Sequence, residues 1–326
     1  MIPRPASSVF LLALAALPAQ DLRHAVATAD LVAVATHVGV RPIGTLHVLH
    51  RLRVGSTLAG PAHAEVSVVQ VKGVAWHNQP VPAELRLYCL EDWSRQAEAA
   101  GLPPAQGPYF RMKGHPGSNP RVEGDPAEAA VVRLARLVRA RVGGAKAGDV
   151  LAPLCDLAMR GTKEARTEAV RVLDEDSALR EALNRFQLSD LLLRAVGETD
   201  DLAYKIALAE LLAARRVDGL VDGLCLSLAQ MPDPLLARAI GRIARHLHGE
   251  QATDLLAPHI LKARNQELRG LFVLALGATE TESALQALLR MRSESPDDPR
   301  VAEALRWHGA PQALEATASR PATRPR

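Results

Sequence analysis

Aromatic side chains make up only 3% of the 326 residues, too few to build an aromatic-rich β sandwich. The hydrophobic class still reaches 48%, so the apolar residues are largely Ala, Leu and Val, a mix that favours closely packed helices. Neither sign of charge dominates. Lys and Arg total 39 against 36 acidic residues, and the formal +3 excludes the strongly basic balance of a general nucleic-acid binder. Cysteine is scarce and odd in number: Cys89, Cys155 and Cys225 leave at least one thiol unpaired. Cys155 and Cys225 fall on apolar helical faces, where a free thiol serves as a small hydrophobe. If they lie two repeats apart, stacking separates them by about 20 Å, far beyond the roughly 7 Å limit for a disulfide. Catalytic signatures are missing too: there is no nucleophile elbow, Walker loop, dinucleotide fingerprint or zinc-protease helix, and Gly117–Ser118–Asn119 reads as a turn.

What is present begins with Arg4, an apolar run from Val9 to Leu17, and then Pro18, Ala19 and Gln20. The run is too short to cross a bilayer but has the pattern of a cleavable leader, so residues 1–20 are expected to be a signal peptide and the mature chain periplasmic or secreted. No stable membrane span is expected after its removal. No Cys stands at the junction, so lipid attachment is not indicated.

Residues 21–125 read as a small β domain: from Ala29 to about Val122 the pattern has a period of two, cut into short segments by Gly and Pro. Leu31–Val38, Thr45–Val54, Ala64–Val71, Glu84–Leu90 and Tyr109–Met112 read as strands of a small antiparallel barrel or sandwich. Ala29–Asp30–Leu31–Val32–Ala33–Val34, followed by Leu49–His50–Arg51–Leu52–Arg53–Val54–Gly55, resembles the opening of an OB-like or netrin-like barrel module of exported bacterial proteins. Netrin-like metalloprotease inhibitors rely on an amino-terminal Cys, which this chain lacks, so the resemblance implies the fold and not that activity.

Residues 126–147 read as a connecting helix, stopped at Gly143–Gly144. From 148 to 310 helix-length apolar segments recur. Those starting at 165, 203, 237, 268 and 301 align with one another, at spacings of 38, 34, 31 and 33 that fit a two-helix unit. Arg269, Ala275–Leu276–Gly277, Ala284–Leu285 and Leu288 resemble the HEAT-like repeat of bacterial proteins. The expected fold is therefore α+β in two domains, a small β domain followed by an α-solenoid of about five helix pairs. Residues 311–326, with Arg320, Arg324 and Arg326 among Pro, Thr and Ala, read as a disordered basic tail.

Such a resemblance implies a surface for gripping a macromolecule. The expectation is a non-enzymatic scaffold, without cofactor, that binds a protein or peptide on the second helices of the pairs, where Arg238, Arg242, Arg269 and Arg306 are the candidate contacts. Trp76, in the polar loop Trp76–Pro80, is a further candidate. A barrel-centred ligand-binding or inhibitor module, with the repeats as support, is the alternative. A lyase accessory of the phycobilisome type shares the repeats but conflicts with the leader. Histidine is enriched before residue 126. His47 and His50, an odd number apart on one strand, point to opposite faces, and no carboxylate or thiol accompanies His37 and His47 across the hairpin. No metal site is expected.

Overall fold

The computed structural model describes residues 22–43, 45–72, 83–102, 108–113 and 119–318. The leader, Trp76, His77, His115 and residues 319–326 lie outside them. The fold is α+β, and the chain divides into two compact units, residues 1–144 and 145–326.

In the first unit, α1 (Leu22–Thr28) leads into β1 (Leu31–Ile43), β2 (His47–Ala59), β3 (Glu65–Val71) and β4 (Leu85–Asp92); then come α2 (Ser94–Ala99), β5 (Tyr109–Met112) and α3 (Ala130–Val142). The strands follow the order β1-β2-β3-β5-β4, and β4 returns to β1, so the sheet closes. Register irregularities in β1, the last between His37 and Gly39, let one long strand curl enough to pair with both neighbours. The sheet is not purely antiparallel as the sequence suggests. β3 and β5 run parallel, joined among the described residues at Ser67↔Tyr109 and Val68↔Phe110. The barrel core is Leu31, Ala33, Ala35, Leu52, Val66, Val68, Tyr88, Leu90 and Phe110. On the other face of β2 and β3, Leu49 and Val69 pack with Ile43, Ala97 and Tyr109.

The helix expected to connect the domains, α3, instead belongs to the first unit and packs on α1. Arg139 reaches from α3 to the carbonyl oxygens of Val26, Ala27 and Ala29 at 3.1–3.3 Å, satisfying acceptors left open where α1 ends.

The second unit contains α4 (Ala147–Arg160), α5 (Lys163–Glu175), α6 (Ser177–Ala182), α7 (Arg185–Gly197), α8 (Leu202–Ala214), α9 (Leu220–Gln230), α10 (Pro234–His248), α11 (Ala252–Leu261), α12 (Gln266–Gly277), α13 (Glu282–Glu294), α14 (Pro299–His308) and α15 (Pro311–Ala318). Five pairs stack: α4 with α5, α7 with α8, α9 with α10, α11 with α12, and α13 with α14. The second members, α5, α8, α10, α12 and α14, lie side by side as one layer, as the spacing of the sequence segments requires. Each pair buries its apolar face only against its neighbours, so stability is shared along the stack. Asp201, Asp233, Asn265 and Asp298 cap the first turns of α8, α10, α12 and α14 with their side-chain oxygens. Their near-constant spacing is a repeat signal as clear as the apolar one.

Residues 311–318 correct the expectation of a disordered tail. Pro311 opens α15 at a position where a missing N–H costs nothing, Ala and Leu extend it, and fully buried Ala313 anchors it against α13 and α14.

Candidate binding surface

Gly241 on α10 and Gly277 on α12 set the character of the layer of second helices. A Cβ at Gly241 would overlap the Ala275 carbonyl oxygen and stand 2.8 Å from Ala278 Cβ, and one at Gly277 would stand 2.8 Å from Ala304 Cα. The helices therefore touch backbone to backbone, and α12 is buried at every position from Gly270 to Gly277. Arg238 of α10 reaches past α12 to lie over the Trp307 ring of α14, 5.6 Å from its centroid. Trp307 thus braces the outer surface of the layer, while α15 packs against α13 and α14 at its end.

The candidate arginines remain exposed along this layer, but their surroundings differ. Arg242 pairs with Glu210 at 3.2 Å, Arg238 is held by Trp307, and Arg306 bonds the Ala302 carbonyl of its own helix at 3.3 Å. Arg269 has no ion-pair partner among the described residues. It lines a cleft of about 630 Å³ where the first turns of α12 and α14 meet the last turn of α13. Val273 and Met291 give the cleft an apolar surface, while Glu267, Glu294 and Asp298 are its carboxylates. Arg300 crosses it with its stem against Gly270, where a Cβ would come within 2.8 Å of Arg300 Cγ, and its guanidinium pairs with Glu303 at 3.1 Å. Apolar surface, acidic groups and an uncommitted guanidinium in one cleft are the elements with which a peptide segment is recognised.

A second polar assembly, which no local pattern in the sequence reveals, lies inside the early repeats. Arg166 bridges Glu198 and Asp201 at 3.3 and 3.2 Å, Arg194 also pairs with Glu198, and Arg166 lies 4.5 Å from the centroid of the Tyr204 ring. Tyr204 donates to the Ala158 carbonyl at 2.5 Å. Fully buried Lys205 donates to Ser227, whose hydroxyl donates to the Val196 carbonyl at 3.0 Å. Burial lowers the Lys205 pKa, with the charge of Glu198 acting against it. An amine beside a hydroxyl resembles a base and its nucleophile. Here both groups are sealed in the core and the hydroxyl is committed to a carbonyl, so the arrangement fixes how successive repeats register.

The barrel holds a third arrangement. His37 faces His50 and not His47: their ring nitrogens, Nε2 and Nδ1, are 3.3 Å apart, and His50 Nε2 meets Gln70 Oε1 at 2.8 Å. The cause is the irregularity at Val38. It puts His37 opposite Leu52, hence diagonal to His50 on the same face, while His47 lies opposite Ile43 and meets the Trp93 ring. Burial lowers the pKa of both His37 and His50; a Gly39 backbone hydrogen bond opposes it at His37, and the Gln70 bond opposes it at His50. No group of three metal-ligating side chains occurs among the described residues. No helix among them is long and apolar enough to cross a membrane.

Comparison with protein-family models, with curated proteins and with solved structures finds no match to this chain.

Proposed function

We propose that this chain is an exported, non-enzymatic scaffold whose HEAT-like repeat unit binds a protein or peptide at the exposed strip Arg238, Arg242, Arg269 and Arg306. The observation that carries the reading is the cleft at Arg269, where a guanidinium without an ion-pair partner among the described residues meets apolar Val273 and Met291. Five stacked pairs supply a long, repetitive surface suited to macromolecular contact. Export rests on Arg4 and the Val9–Leu17 run, and mass spectrometry of the native protein should find it starting near Gln20 or Asp21.

Affinity capture from the native organism, with the mature chain and its Arg269→Ala variant as parallel baits, tests the site. Partners should be recovered by the first and depleted with the second. Equal recovery by both would remove Arg269 from the interface. The strand order β1-β2-β3-β5-β4 with a parallel β3–β5 contact favours an OB-like barrel, and with it the second reading, a ligand-binding or inhibitor module centred there. Residues 22–144 and 145–318, produced separately, discriminate: capture by the first alone would favour the barrel.

A further inference from the structure

We propose that His37 Nε2 and His50 Nδ1 form a binding site for a late first-row divalent cation, zinc or copper, at the end of the barrel. Their 3.3 Å separation lies at the long end of hydrogen-bonding distances. It does match the spacing of two imidazole nitrogens on a tetrahedral ion, about 3.3–3.4 Å for bonds of about 2.0–2.1 Å.

The surrounding groups suit that role. Gln70 Oε1 can only accept, so the bond at 2.8 Å fixes the proton of neutral His50 on Nε2 and leaves a lone pair on Nδ1, the atom that faces His37. A metal-bound histidine whose other N–H is held by a carbonyl oxygen is the arrangement that orients such ligands in known sites. Both rings are buried on the sheet face that lines the barrel. The site is not sealed. Val40, opposite His50, is 59% exposed, and Val48, opposite Gln70, is half-buried, which leaves an approach for an ion and its waters. Imidazole nitrogens select zinc and copper over magnesium or calcium, which prefer oxygen. The described residues supply two nitrogens, and water or a further group would complete the coordination.

Calorimetric titration of the full chain with zinc chloride, and separately with copper(II) sulfate, should show saturable binding of one ion per chain. His37→Ala and His50→Ala should each weaken it by about tenfold or more, whereas His47→Ala and His63→Ala, whose rings pack against Trp93 and Phe110, should leave it unchanged. Gln70→Leu, which removes only the positioning bond, should weaken zinc less than either histidine variant. If the histidine variants do not fold, imidazole NMR of the unmodified chain decides, since zinc should shift the resonances of His37 and His50 alone. Absence of saturable binding by either ion, undiminished binding in folded His37→Ala, or zinc shifts confined to other histidines would each overturn the proposal.

Discussion

Replacing Gly241 by Ala should destabilise the repeat unit, although the same change in most helices does the opposite. Alanine in a helix interior is favoured over glycine by roughly 1 kcal/mol. At Gly241 the added methyl would run into the Ala275 carbonyl oxygen and lie 2.8 Å from Ala278 Cβ. Overpacking typically costs about 1–3 kcal/mol, and the high end applies when the obstacle is backbone, which has no rotamer to change. The net expectation is a loss of about 1–2 kcal/mol, from the difference between the two effects. Gly277→Ala should behave alike, because its obstacle is the Ala304 backbone. Gly148 on α4 is the control: nothing stands within 4 Å of its would-be Cβ, so Gly148→Ala should leave stability unchanged or raise it by up to about 1 kcal/mol. Urea unfolding of the three variants, with hydrogen exchange to localise the loss to residues 234–308, reads out the sign. Gly241→Ala as stable as Gly148→Ala would refute backbone contact between α10 and α12.

Leu274 is fully buried in α12, so Leu274→Ala should cost about 2–5 kcal/mol. Hydrogen exchange should then show lost protection in residues 252–308 with residues 31–112 spared; equal loss in both would make the two units one cooperative body. Lys205→Met should leave the unfolding midpoint unchanged or raised, because it removes a buried amine while Ser227 keeps the Val196 carbonyl; a drop as large as that of Lys205→Ala would show that the amine itself stabilises the stack. Burial pushes Tyr88, Cys89 and Cys225 up to about 12, so these groups hold their protons in the fold while the unfolded chain releases them at lower pH. Stability contributed by them is complete below the ordinary thiol and phenol values and falls as pH rises from there toward 12. Urea midpoints at pH 8 and pH 10.5 should differ in that direction, and a rise would contradict their burial.

The repeat layout was legible because one physical rule, an apolar face every 3.6 residues, recurs with a fixed spacing: the segments starting at 165, 203, 237, 268 and 301 are α5, α8, α10, α12 and α14. The capping residues Asp201, Asp233, Asn265 and Asp298 carry the same spacing. What stayed hidden depends on contacts between distant residues. Arg166, Glu198 and Asp201 look like ordinary surface charges until the stack brings them together. The His37–His50 pairing turns on the extra residue Val38, and alternation alone cannot show where a strand gains one. The exposed candidates Arg238, Arg242, Arg269 and Arg306 are where the sequence suggests, yet they differ: Arg269 lines a cleft, while Arg242, Arg238 and Arg306 are engaged by Glu210, Trp307 and Ala302.

The narrow parallel contact between β3 and β5 implies an order of events in building the barrel. β1, β2 and β3 follow one another through short connections and can zip together early, since nearby segments meet at little entropic cost. β5 must come back to β3 across the interval from Ser67 to Tyr109, and among the described residues two residue pairs reward it there. Closure of the cylinder is therefore the last step in and the first step out, so the interior can be reached through this seam while the three-stranded meander stays intact.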